Sequence, residues 1–142
     1  MAIEYRECIK NRKITEFANG KDIAPKEIIT AEKDLETAKI SAEAKNYKWA
    51  TVQLYYSMFH SARALLYAAG FREHSHACLV LAIRELYCLK EKMPVVLVEA
   101  LQQAKTLREE ADYYDRWSET GCNRLIQSAA DFLGYAKGKI GV

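Results

Sequence analysis

Chain breakers are scarce here: the 142 residues include two prolines and six glycines. Strand signals are equally poor. No long period-two alternation holds, and the β-branched cluster Val95, Val96 and Val98 follows Pro94 and merges into a helical pattern. No apolar run approaches the roughly 20 residues that cross a bilayer without polar interruption. Charge of one sign is lacking too. Lys and Arg total 21 against 19 Asp and Glu, a net charge of +2 that does not by itself imply nucleic-acid binding. The basic group Arg6, Lys10, Arg12 and Lys13 reads as a solvated helix face. Cysteine pairs of the CxxC type are absent. The widely spaced Cys8, Cys78, Cys88 and Cys122, with no secretory leader, read as reduced thiols of a cytoplasmic protein, mostly small core hydrophobes. His74 and His76 lack a third ligand in reach, so no metal site is expected and no cofactor is implied.

What remains is helix. Half of the residues are hydrophobic and 28% are charged, the profile of one soluble globular domain over 1–142 with a core of its own. The periodicity predicts a first helix over about 4–18, closed near Asn19 and Gly20. A second spans about 25–45, with Pro25 in its first turn, and a central one about 47–69, stopped by Gly70. Ser75 is the expected N-cap of a helix through about 89. Pro94 opens another to about 114, and the last runs over about 119–137. Short loops favour antiparallel neighbours, so the expected fold is all-α, an up-and-down bundle of four to five main helices.

The central helix carries the most informative pattern. Residues 49–69, WATVQLYYSMFHSARALLYAA, are apolar and aromatic nearly all round, which belongs in the middle of a bundle. Yet Gln53, Ser57, His60, Arg63 and Tyr67 share one arc of about 120°, with Tyr56 beside them. Burying an Arg and a His without partners is costly, so this stripe must meet another chain, a ligand, a wet cleft or specific carboxylates. The first of these predicts a homodimer through the central and fifth helices.

A second polar set lies on the helix after Pro94. Its core stripe of Leu97, Leu101, Ala104, Leu107 and Ala111 turns charged over the last two turns, where Arg108, Asp112 and Asp115 share the face. Arg108 and Asp112, at i,i+4, make either a local ion pair or one wall of a cleft facing the central helix. Tyr113 and Tyr114 add hydroxyls there, and Trp117 is placed to close such a site.

The run LYYSMFHSARALLYAAGFREHSH, followed about thirty residues later by LREEADYYD, resembles the HEPN family of small prokaryotic helical domains. The closest group carries YYxMFHAARALL…G…SH and LRxxADY, and the match covers about 33–132. The resemblance implies a four- or five-helix bundle that pairs with a second copy and partners a minimal nucleotidyltransferase. Many members are metal-independent ribonucleases acting as toxins, using an Arg and a His four to six residues apart at the dimer interface. Carried over, the Arg falls on Arg108, whereas the His position holds Tyr113. Tyrosine, with a pKa near 10, is a poor proton acceptor beside an imidazole near 6.5. His60 could supply the imidazole if the central helix faces Arg108.

Three functions follow. The first is a nucleotide- or RNA-binding domain, the toxin-like half of a pair with a nucleotidyltransferase. The second is a metal-independent endoribonuclease using Arg108 with His60 or Tyr113. The third is a non-catalytic dimeric adaptor. In the first two, Tyr56, Arg63, His76, Asp112 and Tyr114 are the candidate ligand contacts.

Overall fold

The computed structural model describes residues 3–142. A short helix α1 (Ile3–Lys10) leads into strand β1 (Ile14–Glu16). Two long antiparallel helices follow, α2 (Gly20–Glu43) and α3 (Tyr47–Ala68). Strand β2 (Phe71–Glu73) then precedes α4 (His76–Ile83), which runs on as a π-helical segment, Arg84–Leu89. Helices α5 (Val95–Tyr113) and α6 (Glu119–Ile140) complete the bundle. The all-α expectation holds, with one small addition: β1 pairs antiparallel with β2, Thr15 opposite Arg72.

Helix α3 is the axis. It packs against α2, α5 and α6, and its apolar residues Leu54, Met58, Ala62, Leu65 and Leu66 are wholly buried. Ala31 and Ala38 of α2 and Ala129 and Ala136 of α6 are also fully buried. Small residues at these positions let the helix axes approach closely. The approach at Gly20 is close too: a Cβ there would lie 2.3 Å from the Tyr67 carbonyl oxygen.

Local signals set the helix ends. Ser75 Oγ accepts from the Cys78 N–H and Ser118 Oγ from the Gly121 N–H, satisfying N-terminal donors of α4 and α6. Gly70 and Gly141 take the left-handed conformation beyond α3 and at the end of α6.

Two expectations are corrected. The first helix ends at Lys10, not near residue 18. Residues 14–16 are drawn off by β2, a partner more than fifty residues away that local periodicity does not reveal. The four cysteines are not all thiols either. Cys8 of α1 and Cys78 of α4 form a disulfide, while half-buried Cys88 and buried Cys122 are free. The pairing follows from α1 docking on α4, and a separation of 70 residues hides it from spacing arguments.

Candidate functional site

The polar arc of α3 finds its partners inside the chain, chiefly on α2. Gln53 Oε1 accepts from Ser41 Oγ, and Ser57 Oγ donates to the Ala31 carbonyl at 2.8 Å. His60 Nδ1 lies 2.6 Å from Glu27 Oε2, and its Nε2 is 3.9 Å from Asp34. Arg63 reaches Glu27 at 3.7 Å and holds Glu73 of β2 through Nε and Nη2, the shortest contact being 2.7 Å. Glu73 is almost entirely buried. Of the partners expected for this stripe, specific carboxylates are the ones found. Burial pushes the Asp34 carboxyl above its usual range, with His60 opposing. Burial works to lower the Arg63 guanidinium, but Glu73, Tyr67 and Glu27 outweigh it.

Arg108 is set differently. From α5 it crosses to α3, where Nη2 donates to the Tyr56 hydroxyl at 3.0 Å. Asp112 lies 3.5 Å from the same nitrogen. The guanidinium carbon sits 5.8, 5.5 and 5.4 Å from the ring centres of Tyr55, Tyr56 and Tyr113, within cation–π reach of all three. Its Nε–H is buried and has no hydrogen-bond acceptor. A cation with one stranded donor is an incomplete site, since such a group is ordinarily satisfied. Burial acts to lower the Arg108 pKa, but Tyr56, Tyr113 and Asp112 around it raise it. It is charged throughout the accessible pH range.

An imidazole joins the two sets. His76, the first residue of α4, places Nδ1 2.6 Å from the Tyr55 hydroxyl and stacks on Phe59 with ring centres 4.4 Å apart. Arg63 lies over the far part of this aromatic row, 4.4 Å from the Phe59 centre. Burial pushes His76 below its ordinary value, helped by Arg108, Arg63 and Lys105 and opposed by Glu73. Burial also pushes the Tyr55 hydroxyl well up, so it remains protonated.

The expected site residues therefore divide. Tyr56, Arg108, Asp112 and Tyr113 come together, with His76 joined through Tyr55. His60 and Arg63 form the carboxylate-bound set, and the imidazole coupled to Arg108 is that of His76. Tyr114 points away: it is 68% exposed and lies against Arg116. Trp117 stands with Lys48 instead of over Arg108. Sequence reasoning missed Tyr55, Phe59, Glu27 and Glu73. The aromatic pair reads as core, and the two carboxylates lie on elements whose docking onto α3 is a tertiary fact.

Fold and site together describe an all-α bundle whose central and fifth helices share an Arg–Tyr–His constellation. The model of the HEPN domain matches residues 27–139, and the chain belongs to the HEPN domain family. Named relatives agree. "Putative toxin MJ0605" of Methanocaldococcus jannaschii is 30% identical over 108 residues, 75% of this chain and 81% of that protein. "Putative toxin MJ0142" of the same organism is 29% identical over 83 residues, 58% of this chain and 56% of that protein. "UPF0332 protein glr0978" of Gloeobacter violaceus is 28% identical over 109 residues, 75% and 86% of the two chains. Among the described residues, no helix is long and apolar enough to cross a membrane.

Proposed function

We propose that the chain acts as a single HEPN domain that binds a nucleotide or RNA at Arg108, as the toxin-like half of a pair with a minimal nucleotidyltransferase. The observation that carries this reading is the state of Arg108: held by Tyr56, ringed by three tyrosines, and left with one buried N–H unpaired. A guanidinium in that state suits a phosphate, whose oxygens accept from several of its donors at once. The toxin names of two relatives and the family resemblance support the partner and a homodimer. The arc of α3 gives the dimer no independent support, because α2 and β2 already satisfy it.

A second reading is favoured by His76. A neutral imidazole close to Arg108, linked to it through Tyr55, fits the general base of a metal-independent ribonuclease. In the tautomer whose Nδ1–H donates to the Tyr55 oxygen, its free Nε2 would take the 2′-hydroxyl proton as that oxygen attacks phosphorus and the 5′-oxygen leaves, protonated by solvent. Arg108 would offset the charge on the phosphoryl oxygens.

Both readings are tested by incubating the protein and a folded Arg108→Ala variant with a mixed RNA pool in EDTA, while following binding in parallel. Binding lost in the variant without cleavage by either protein supports the first reading. Cleavage lost in Arg108→Ala and in His76→Gln supports the second. Equal binding by parent and Arg108→Ala removes Arg108 from the site.

A further inference from the structure

A group of exposed aromatics and cations lies just beyond Arg108, where α5 ends and α3 begins. Trp49 and Trp117 are 48% and 46% exposed, and Tyr113 and Tyr114 are 65% and 68% exposed. Each Trp is paired with a cation, and so is each Tyr. Lys48 Nζ lies 5.3 Å from the Trp49 ring centre and 5.6 Å from that of Trp117, so one ammonium spans both indoles. Arg116 covers Tyr114 at 5.9 Å, and Arg108 covers Tyr113. Four large exposed rings in one neighbourhood are unusual where nothing binds.

The loop is held in shape. Asp115 adopts a left-handed φ of 54°, an uncommon conformation for a residue other than glycine. Its carboxylate takes Lys48 Nζ at 2.9 Å, and the Arg116 N–H donates to the Glu110 carbonyl at 3.0 Å. The rings are thus presented in place, which lowers the entropy lost on binding.

We propose that this patch is a stacking platform for single-stranded nucleic acid, receiving the unpaired bases that flank a phosphate held at Arg108. The inference rests on the nucleic-acid reading above and adds the form of the ligand. Interleaved rings and cations suit unpaired bases, which stack on the rings while the cations follow the backbone. A duplex offers neither free base faces nor a strand that can lie along one loop. Asp112 and Asp115 temper the charge, so stacking outweighs phosphate attraction here.

The two tryptophans of the chain both belong to the patch, which gives it its own signal. The whole protein is titrated with labelled oligouridylate, oligothymidylate and an RNA duplex. Label anisotropy reports binding anywhere, and indole fluorescence, excited at its red edge, reports the patch. The expected result is quenching by the single strands with the same midpoint as the anisotropy change, and much weaker effects from the duplex. A log–log salt slope of about −1 to −2 should accompany it, from about −0.7 per neutralised phosphate. Trp117→Ala should weaken binding about tenfold, and Trp117→Phe should restore most of it. Quenching by both single strands means that base faces alone are read, and by oligouridylate alone that the sugar is read too; either supports the platform. Anisotropy without quenching places the strand elsewhere and overturns the platform while sparing Arg108. No anisotropy change with any strand overturns it together with RNA binding. An indole shift that depends on protein concentration alone assigns the patch to contact between copies and overturns it too.

Discussion

The Tyr55 hydroxyl and His76 Nδ1 lie 2.6 Å apart, joining the centre of α3 to the first residue of α4. Tyr55 is 2% exposed and its hydroxyl is held protonated by burial, so it is available to donate to the imidazole. With Tyr55 donating, the ring hydrogen sits on Nε2; in the other tautomer Nδ1–H donates to the Tyr55 oxygen and Nε2 is free to accept a proton.

His76 should consequently titrate below 6.5 in the folded protein, which its ring-proton shifts measured by NMR against pH will check. The sign for stability follows. Between the folded and unfolded values the unfolded chain binds more protons at this site, so its contribution is present above about 6.5 and is lost as pH falls through that window. A midpoint at or above 6.5 would contradict burial as the dominant influence.

Removing Glu73 strands Arg63. The carboxylate is 4% exposed and the guanidinium 26%. Glu73→Ala is expected to destabilise the fold by about 3 kcal/mol, the lower end for breaking a buried pair, since Arg63 keeps some access to water and Glu27 nearby. Urea denaturation of Glu73→Ala, Arg63→Ala and the double variant checks this. The double variant should lose less than the sum of the singles.

Gly20→Ala runs against helix propensity. In an open helix the change stabilises by about 0.5–1 kcal/mol. Here the new methyl would meet the Tyr67 carbonyl at 2.3 Å, and backbone cannot move aside as a flexible side chain can. A net loss of about 1–3 kcal/mol is expected, read as a lower thermal midpoint.

The Cys8–Cys78 bond closes a loop of some seventy residues. Peptide mapping without reductant should recover the two cysteines as one cross-linked species, with Cys88 and Cys122 alkylatable after unfolding. Reduction, or Cys8→Ser with Cys78→Ser, should cost about 4–4.5 kcal/mol on the chain-entropy account of a loop this long.

Much of the fold was legible because helices announce themselves locally. The expected bounds of the central helix and of the helix after Pro94 each lie within one residue of α3 and α5, for Gly70 and Pro94 punctuate both. The arc on α3 was equally plain, since 3.6-residue periodicity needs no partner to be seen. Its destination was not. Glu27 and Asp34 look like ordinary surface residues of α2 until that helix is turned towards His60. The same holds for β1, whose β-branched Ile14 and Thr15 are too short a run to mark a strand by themselves, and for Tyr55 and Phe59, whose contact with His76 depends on how α4 enters the bundle. Arg108 was legible as a candidate from its i,i+4 acid and from the LREEADYYD resemblance; its contact with Tyr56 required the packing of α5 on α3.

One short ladder has a reach beyond its size. The HEPN match begins at residue 27, whereas β1 lies before it and β2 within it. Through that pairing, and through the Lys13 carbonyl accepting from the His74 N–H, the leading segment splints the turn that carries Glu73 and aims α4. Glu73 anchors Arg63, and α4 opens with His76. The alignment of a constellation inside the matched residues is thus braced by a stretch outside the match, and transplanting residues 27–139 alone would move the parts without their jig.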